Sequence, residues 1–332
     1  MMKARGTKVW ALLASRFGPG LALLLVFCFF AVADAIQPNG GTFLTARNLQ
    51  AMLISSAPVV MAALGATVVI IAGGIDLSAG TAMSLCATVL AWVLLKGGSI
   101  ELALVCCLLT GCLAGAANGI MISALDVAPF IVTLGTMTAY LGFAKLVADE
   151  TTVRPPLESV PQWLNGLAMP SPKPAWLLVA PGVWIMLLMA LVLSAVLRYT
   201  VFGRHVFALG SNEKTARLCG LNVPALKVAI YTVAGLFIGV AGVYEFAKLK
   251  VGNPISGIGL ELKAIAAVVI GGASLNGGRG TVLGTLAGAL LMQTILSGCT
   301  QLGLSNPIQD IILGIMIIAA VTVDQIRQRR MA

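Results

Sequence analysis

Long apolar runs, separated by short polar links, extend from residue 21 to residue 326. A membrane-spanning helix needs about 20 mostly apolar residues, and most of these runs approach that length. The pattern therefore predicts an all-α fold, a polytopic transmembrane helical bundle of about ten spans. The predicted spans cover residues 21–36, 49–72, 78–95, 102–125, 130–147, 176–197, 225–246, 260–270, 282–297 and 308–323. The eighth is short and is followed by Gly271 and Gly272, so nine or eleven spans stay open.

Composition favours the same class of protein. Of the 332 residues, 59% are hydrophobic and only 10% are charged, whereas soluble domains carry about 25% charged residues. A soluble fold this poor in charge could not cover its surface. Lipid requires no such cover, because it is as apolar as the side chains that face it.

The distribution of Lys and Arg predicts the orientation, because these residues accumulate in cytoplasmic links. With the N-terminus inside and ten spans, the cytoplasmic side holds 13 cations and four acids, and the outer side holds eight of each. The whole net charge of +9 thus faces the cytoplasm. Such a face suits anionic lipid, and nucleic acid is not needed to explain the charge.

This orientation divides the chain into a basic cytoplasmic N-terminus (1–20), a transmembrane domain (21–326) and a basic cytoplasmic tail (327–332). Within the domain, the proline-rich link 148–175 lies outside and the polar link 199–223 lies inside. The first apolar run also resembles a signal peptide with a cleavage site at Ala31-Val32-Ala33, but we predict that it is retained as a span.

The residues that enzymes and metalloproteins use are scarce. His205 is the only histidine, and the seven cysteines have no regular spacing, which disfavours a metal site, a disulfide framework and a catalytic triad. No Gly-Lys dipeptide occurs, so the chain has no Walker A motif. We therefore expect no catalytic residues, no metal and no cofactor in this chain. Only Asp76 and Asp126 place carboxylates near the spans, both at the expected interface, which disfavours a proton-driven pump.

The polar link 199–223 contains the signals of a short helix. Ser211 or Asn212 can cap it, Glu213 lies in its first turn, Arg217 follows four residues later, and Gly220 ends it. A short cytoplasmic helix between two spans suits docking to a soluble partner. A solvated connector without a partner is an equally good interpretation of this pattern alone.

Two glycine-rich motifs interrupt the apolar pattern. The first contains Gly73, Gly74, Asp76, Ser78 and Gly80, and the second contains Gly271, Gly272, Gly277, Gly278 and Arg279. Broken helices inside a membrane can bind polar ligands, and Ser78 or Asp76 can also cap the third span. The motifs resemble each other, which internal duplication or similar turn chemistry explains equally well.

A third pattern, glycines three or four residues apart within the spans, predicts close helix packing. These glycines are Gly111, Gly115, Gly119, Gly235, Gly239, Gly242, Gly284 and Gly288.

Three stretches together resemble the permease family of ribose-type ATP-binding cassette (ABC) importers, which also includes branched-chain amino-acid permeases. They are the octamer Gly-Gly-Ile-Asp-Leu-Ser-Ala-Gly at 73–80, the link 208–221 and the glycine-rich segment 271–280. Their order and spacing also resemble the family, over residues 42–326. Family members often carry Glu-Ala-Ala-Arg in the link after the sixth span, whereas this chain has Glu213-Lys214-Thr215-Ala216-Arg217.

The resemblance implies a permease subunit in a bacterial plasma (inner) membrane, without catalysis of its own. It implies two cytoplasmic ABC ATPases that use ATP and Mg, an extracytoplasmic sugar-binding protein, and a second permease copy or paralogue. It assigns ATPase coupling to Asn212, Glu213, Ala216, Arg217 and Gly220. The main alternative is an ion-driven secondary transporter of a small polar solute, which would share the hydropathy and the broken helices. The sequence does not identify the sugar or the residues that line its path.

Overall fold

The structure is a computed structural model that describes residues 2–37, 40–170 and 177–329. All of its regular elements in this part of the chain are helical. The first five helices are α1 (Met2–Ile36), α2 (Ala46–Ile71), α3 (Ala79–Leu95), α4 (Ile100–Leu125) and α5 (Pro129–Val147). After a link with a 3-10 turn at Leu157–Ser159 come α6 (Gln162–Gly166), α7 (Pro181–Tyr199), α8 (Val201–Ser211) and α9 (Glu213–Leu218). The last four are α10 (Val223–Leu249), α11 (Leu260–Ile270), α12 (Val282–Gln301) and α13 (Asn306–Arg329).

Each predicted span coincides with one of these helices, and most boundaries agree within a few residues. The largest difference is α1, which begins at Met2 instead of residue 21 and runs through Pro19. The predicted start of the sixth span, residue 176, lies outside the described residues; the helix there begins at Pro181.

Seven helices among the described residues are long and apolar enough to cross a membrane, namely α2, α4, α5, α7, α10, α12 and residues Gly18–Ala35 of α1. The helix α3 and the segment Asn306–Ala319 of α13 are shorter apolar helices. At 1.5 Å per residue, the 11 residues of α11 extend about 16 Å, roughly half of a bilayer's hydrocarbon core. The predicted eighth span is thus a half-helix.

The helix α2 lies at the centre of the bundle. Almost every residue from Ala57 to Ile71 is buried, because α7, α10, α11 and α12 surround it. A helix that is apolar on all sides is expected in such a position.

Glycines bring α4 and α10 into direct backbone contact. A Cβ atom on Gly111 would collide with the carbonyl oxygen of Gly235, and one on Gly115 would collide with the carbonyl oxygen of Tyr231. On α12, Gly284 and Gly288 pack in the same way against the C-terminal end of α11. The prediction of close packing from glycine spacing is confirmed.

The structure describes residues 148–170 of the proline-rich link, and part of this segment is buried. Val153 pairs with Gly252, and Val160 and Leu164 are buried. These apolar side chains fold back onto the ends of α3 and α4, because exposure to water would cost free energy.

Candidate functional site

The short helix predicted in the link 199–223 is present as α9. Its N-cap is Asn212, whose Oδ1 accepts a hydrogen bond of 2.9 Å from the backbone N–H of Thr215. Of the two predicted caps, Asn212 is therefore correct, and Ser211 instead ends α8. Gly220 follows with φ +84°, a left-handed conformation that favours glycine, and Ala216 is buried beneath the helix.

Glu213 of α9 forms two ion pairs, one suggested by the sequence and one that the sequence did not predict. Glu213 accepts from Arg217 at 3.4 Å, as the i, i+4 spacing suggested, and also from Lys227 of α10 at 2.9 Å. The Lys227 side chain is 18% exposed, whereas that of Arg217 is 64% exposed. Because the Lys227 bond is shorter and less exposed to water, it is the stronger of the two. It fixes α9 to the start of α10.

The first glycine motif turns the chain between α2 and α3. Asp76 is buried, and its Oδ1 accepts from the backbone N–H of Ser78 at 2.8 Å and from the Ser78 hydroxyl at 2.6 Å. Burial raises the pKa of the Asp76 carboxyl above its ordinary value, although the two hydrogen bonds from Ser78 lower it. Ser78 occupies the N-cap position of α3 but makes no side-chain cap bond, because its hydroxyl is directed to Asp76.

This motif continues into a buried chain of hydrogen bonds between helices. Asn118 of α4 donates from Nδ2 to the Ser78 Oγ at 2.8 Å. The hydroxyl of Tyr140 on α5 has two acceptors. It lies 2.8 Å from the Ala114 carbonyl oxygen and 3.1 Å from the Asn118 Oδ1, which share its single proton. Asp76, Ser78, Asn118 and Tyr140 thus connect the α2–α3 turn to α4 and α5. Buried polar groups that are all hydrogen-bonded fix one arrangement of the helices.

The second glycine motif meets the first one at the end of α8. The backbone N–H of Gly278 donates to the carbonyl oxygen of Ile71 at 2.8 Å. A Cβ atom at Gly277 would lie 2.6 Å from the carbonyl oxygen of Gly210 and 2.9 Å from the Cα of Gly73. Gly210 immediately precedes Ser211 and the cap of α9. We call this meeting point of residues 71–73, 210–211 and 277–278 the junction.

The other motif residues have separate environments. Gly271 packs against Gly284, and Gly272 has φ +90° with no heavy atom near its Cβ position. Arg279 is exposed, and its carbonyl oxygen accepts from the backbone N–H of Ser274 at 3.1 Å. Gly80 lies in the first turn of α3 and packs against Gly257 and Glu261.

A cavity of about 100 Å³ lies between the first motif and α9. Its lining includes Gly73, Gly74, Glu213, Lys227 and Tyr231. The Tyr231 hydroxyl is buried without a partner among the described residues, and a Cβ atom on Gly74 would lie 2.6 Å from it. This volume is about that of three water molecules in the liquid.

Sequence reasoning missed several of these residues. The expectation that Asp76 and Asp126 are the only carboxylates near the spans is wrong, because Asp34 in α1 and Glu261 in α11 are also buried. Asp76 is buried by protein, and Asp126 is exposed. A carboxylate within a predicted span was the signal that could have identified Glu261. Lys227 gave no such signal, because lysines at the start of a span are common.

Comparisons with known proteins give a consistent result. Residues 48–321 match the model of a family described as a branched-chain amino acid transport system permease component. The ribose import permease protein of Escherichia coli strain K12 is 34% identical over 307 residues, which are 92% of this chain and 94% of that protein. The same protein of Bacillus subtilis strain 168 is 35% identical, over 93% of this chain and 92% of the relative. An autoinducer 2 import system permease protein of Photorhabdus luminescens is 30% identical, over 91% and 88% respectively. No solved structure matches the chain.

Proposed function

Because this chain belongs to the family of branched-chain amino acid transport system permease components, we propose that it is the membrane-spanning permease subunit of an ABC importer. It forms the translocation path, and a separate subunit hydrolyses ATP with Mg. Its solute is a monosaccharide of the ribose type, delivered by an extracytoplasmic binding protein. The named relatives support this choice, since they import ribose or autoinducer 2 and align with more than nine-tenths of the chain.

The proposed topology has about ten spans in the bacterial inner membrane, with both termini in the cytoplasm. The seven long apolar helices supply most of the spans, and α3, α11 and the apolar part of α13 complete the count. The half-helix α11 reaches only part of the way, and the chain segment 250–259 before it extends the crossing. In this orientation α9 and the second glycine motif face the cytoplasm, as do 13 of the 21 Lys and Arg residues.

The observation that carries the proposal is the position of α9. It is fixed to α10 through Lys227 and Glu213, and the residues just before it pack against both glycine motifs. A cytoplasmic ATPase that displaces α9 would therefore act on the ends of α2, α10 and α11 together. We assign the ATPase contact to Asn212, Glu213, Ala216, Arg217 and Gly220.

The mechanism follows from linkage between two states of the importer. Two permease copies, identical or paralogous, form one path, and each binds an ATPase through α9. When the ATPases bind ATP they close on each other, which draws the two α9 helices together and favours a path open to one side of the membrane. ATP hydrolysis favours the path open to the other side. A ligand shifts such an equilibrium only by its difference in affinity for the two states.

The test is uptake of radiolabelled ribose by vesicles that contain the full importer with its ATPase and binding protein. We expect uptake to require ATP and to persist with a protonophore. Arg217→Glu should abolish uptake while the protein still inserts in the membrane, since reversal of an exposed charge disrupts docking and not folding. Uptake that collapses with the protonophore and ignores ATP depletion would instead establish an ion-driven transporter.

A further inference from the structure

One face of α3 packs against the segment that joins α10 to α11. Gly80, Ser84 and Thr88 are spaced by four residues and lie on this face. The backbone N–H of Gly257 donates to the Ser84 Oγ at 2.7 Å, and a Cβ atom on Gly257 would collide with the carbonyl oxygen of Gly80. Further along, a Cβ atom on Gly252 would lie 2.8 Å from the Cα of Thr88. We call this contact between α3 and residues 252–261 the seam.

The seam has buried polar atoms with unused hydrogen-bonding capacity. Five buried side-chain nitrogen or oxygen atoms have no partner in the part of the chain that the structure describes. Three of them belong to the seam, namely the Thr88 Oγ1, the Ser256 Oγ and the Glu261 Oε2. Each such atom costs free energy comparable to a lost hydrogen bond, so their concentration at one contact requires an explanation.

Glu261 is the ionisable residue among the three, so its burial costs the most free energy. It is 4% exposed, and its Oε1 accepts a hydrogen bond of 3.1 Å from the backbone N–H of Gly259. Its Oε2 is directed at α3 and occupies the space that a side chain at Gly80 would need. An ionisable group buried inside a membrane bundle is expected to serve the transported solute or its path.

The position of the seam agrees with such a role. α3 and α11 both begin there, at Ala79 and Leu260, and the segment that follows α11 continues to Gly277 and Gly278 of the junction. Along the chain, the 11 residues of α11, about 16 Å of helix, lie between the seam and the segment that leads to the junction. Helix N-termini carry partial positive charge, which stabilises a carboxylate and disfavours a bound cation. A neutral ligand that donates hydroxyl protons suits this environment better than a metal ion does.

We propose that the seam binds the transported solute directly, with the Glu261 carboxylate and the Thr88 and Ser256 hydroxyls as successive hydrogen-bonding groups along its path. Gly80, which lies beside Glu261, and Thr88 are separated by about 12 Å of helix. The solute class is a neutral polyhydroxyl compound, and this assignment rests on the proposed function. The contact of Gly80 with Gly257 closes the seam in this structure. α3 and the segment 252–261 therefore separate when the solute passes.

The experiment measures ribose taken up per ATP hydrolysed by the complete importer at saturating ribose-loaded binding protein. Glu261→Gln keeps the size of the side chain and removes its charge; we expect uptake per ATP to fall about tenfold, as the loss of a charged hydrogen bond predicts. Glu158→Gln, in the exposed 3-10 turn, is the matched control and should leave the ratio unchanged. A seam that only packs helices would lower uptake and ATP hydrolysis together, through loss of folded protein.

Thr88 gives a second test that does not depend on the folding of the Glu261 variant. Thr88→Val keeps the shape and removes the hydroxyl, whereas Thr88→Ser keeps the hydroxyl and removes the methyl group. Solute binding predicts that uptake per ATP falls about fivefold in the valine variant and less than about twofold in the serine variant. The opposite order, with serine worse than valine, would show that the site needs packing and would overturn the proposal.

Failure of the wild-type importer to take up ribose with ATP would overturn the proposed function, and the seam's assignment to a sugar with it. Normal wild-type uptake together with unchanged ratios in Glu261→Gln and Thr88→Val would overturn the seam alone. Uptake that requires sodium and continues without ATP would contradict both.

Discussion

Lys227 donates a hydrogen bond of 2.9 Å to the Oε1 of Glu213, across 14 residues of chain. Arg217 reaches the same oxygen from the opposite end of α9, at 3.4 Å. Glu213 is thus shared between a bond inside α9 and a bond to α10. Because α10 packs against α2, α3 and α4, the second bond connects α9 to the centre of the bundle.

The first prediction concerns this bond. Lys227→Met keeps most of the apolar length of the side chain and removes the charge, so α9 loses its connection to α10. We expect about 1 kcal/mol of stability to be lost, as for a partly exposed ion pair. Uptake per ATP should fall several-fold, because ATPase movement is no longer transmitted. Both are measured on the reconstituted importer.

Lys214→Met is the matched control for Lys227→Met. Lys214 lies on α9 itself, is exposed, and has no ion pair with any described residue. Its loss should change neither quantity. If both lysine variants reduce coupling equally, the net charge of α9 is responsible and the bond to α10 is not.

The second prediction concerns the junction. Gly210→Ala would place a Cβ atom against the carbonyl oxygen of Ile71 and 2.7 Å from the backbone nitrogen of Gly278. These two backbone groups are bonded to each other, so the methyl group must separate them. We expect a loss of about 2 kcal/mol or more and little uptake, measured as the unfolding midpoint of purified protein and as vesicle transport.

Gly135→Ala provides the comparison. Gly135 lies in α5 with no heavy atom within 4 Å of its Cβ position, and alanine is the better helix former. The unfolding midpoint should stay the same or rise slightly, with full uptake. A Gly210→Ala protein that behaves like Gly135→Ala would show that the junction separates at little cost.

The third prediction concerns the buried hydrogen-bond chain. Tyr140→Phe removes the hydroxyl that donates to the Asn118 Oδ1 and the Ala114 carbonyl oxygen, and leaves these acceptors buried. The expected cost is about 1–3 kcal/mol, seen as a lower unfolding midpoint in detergent. Tyr199→Phe is the control, because that side chain is 70% exposed. Equal midpoints for the two variants would mean that water replaces the hydroxyl in α5.

Local features were predictable because they depend on residues close in sequence. The Asn212 cap, the Glu213–Arg217 pair and the end at Gly220 all lie within one short segment. The apolar runs likewise located ten helices, since a hydrophobic run of that length has few alternatives in a membrane protein. The half-length of α11 was also visible in the sequence, as an apolar run that ends early at Gly271.

Features that depend on helix packing were not predictable. The two glycine motifs are about 200 residues apart in the sequence. Their residue types do not indicate that the backbone N–H of Gly278 donates a hydrogen bond to the Ile71 carbonyl oxygen. The same holds for Lys227 and Glu213, whose contact depends on the rotation of α10. Nothing in the sequence showed that Asp76 bonds to Ser78, or that Ser78 in turn accepts from Asn118 of α4 in a buried network.

The last prediction concerns the side of the membrane on which α9 lies. Cys219 follows α9 directly and is exposed. A membrane-impermeant maleimide should therefore react with it when the reagent is added on the side of the membrane where α9 lies. If 13 cations hold this side in the cytoplasm, inside-out vesicles should be labelled and intact cells should not. Cys219→Ser should remove the label, and adding Glu158→Cys should restore it only in intact cells, because residue 158 lies in the opposite link. Labelling of Cys219 from outside would show that the chain has the opposite orientation. In that orientation α9 could not contact a cytoplasmic ATPase.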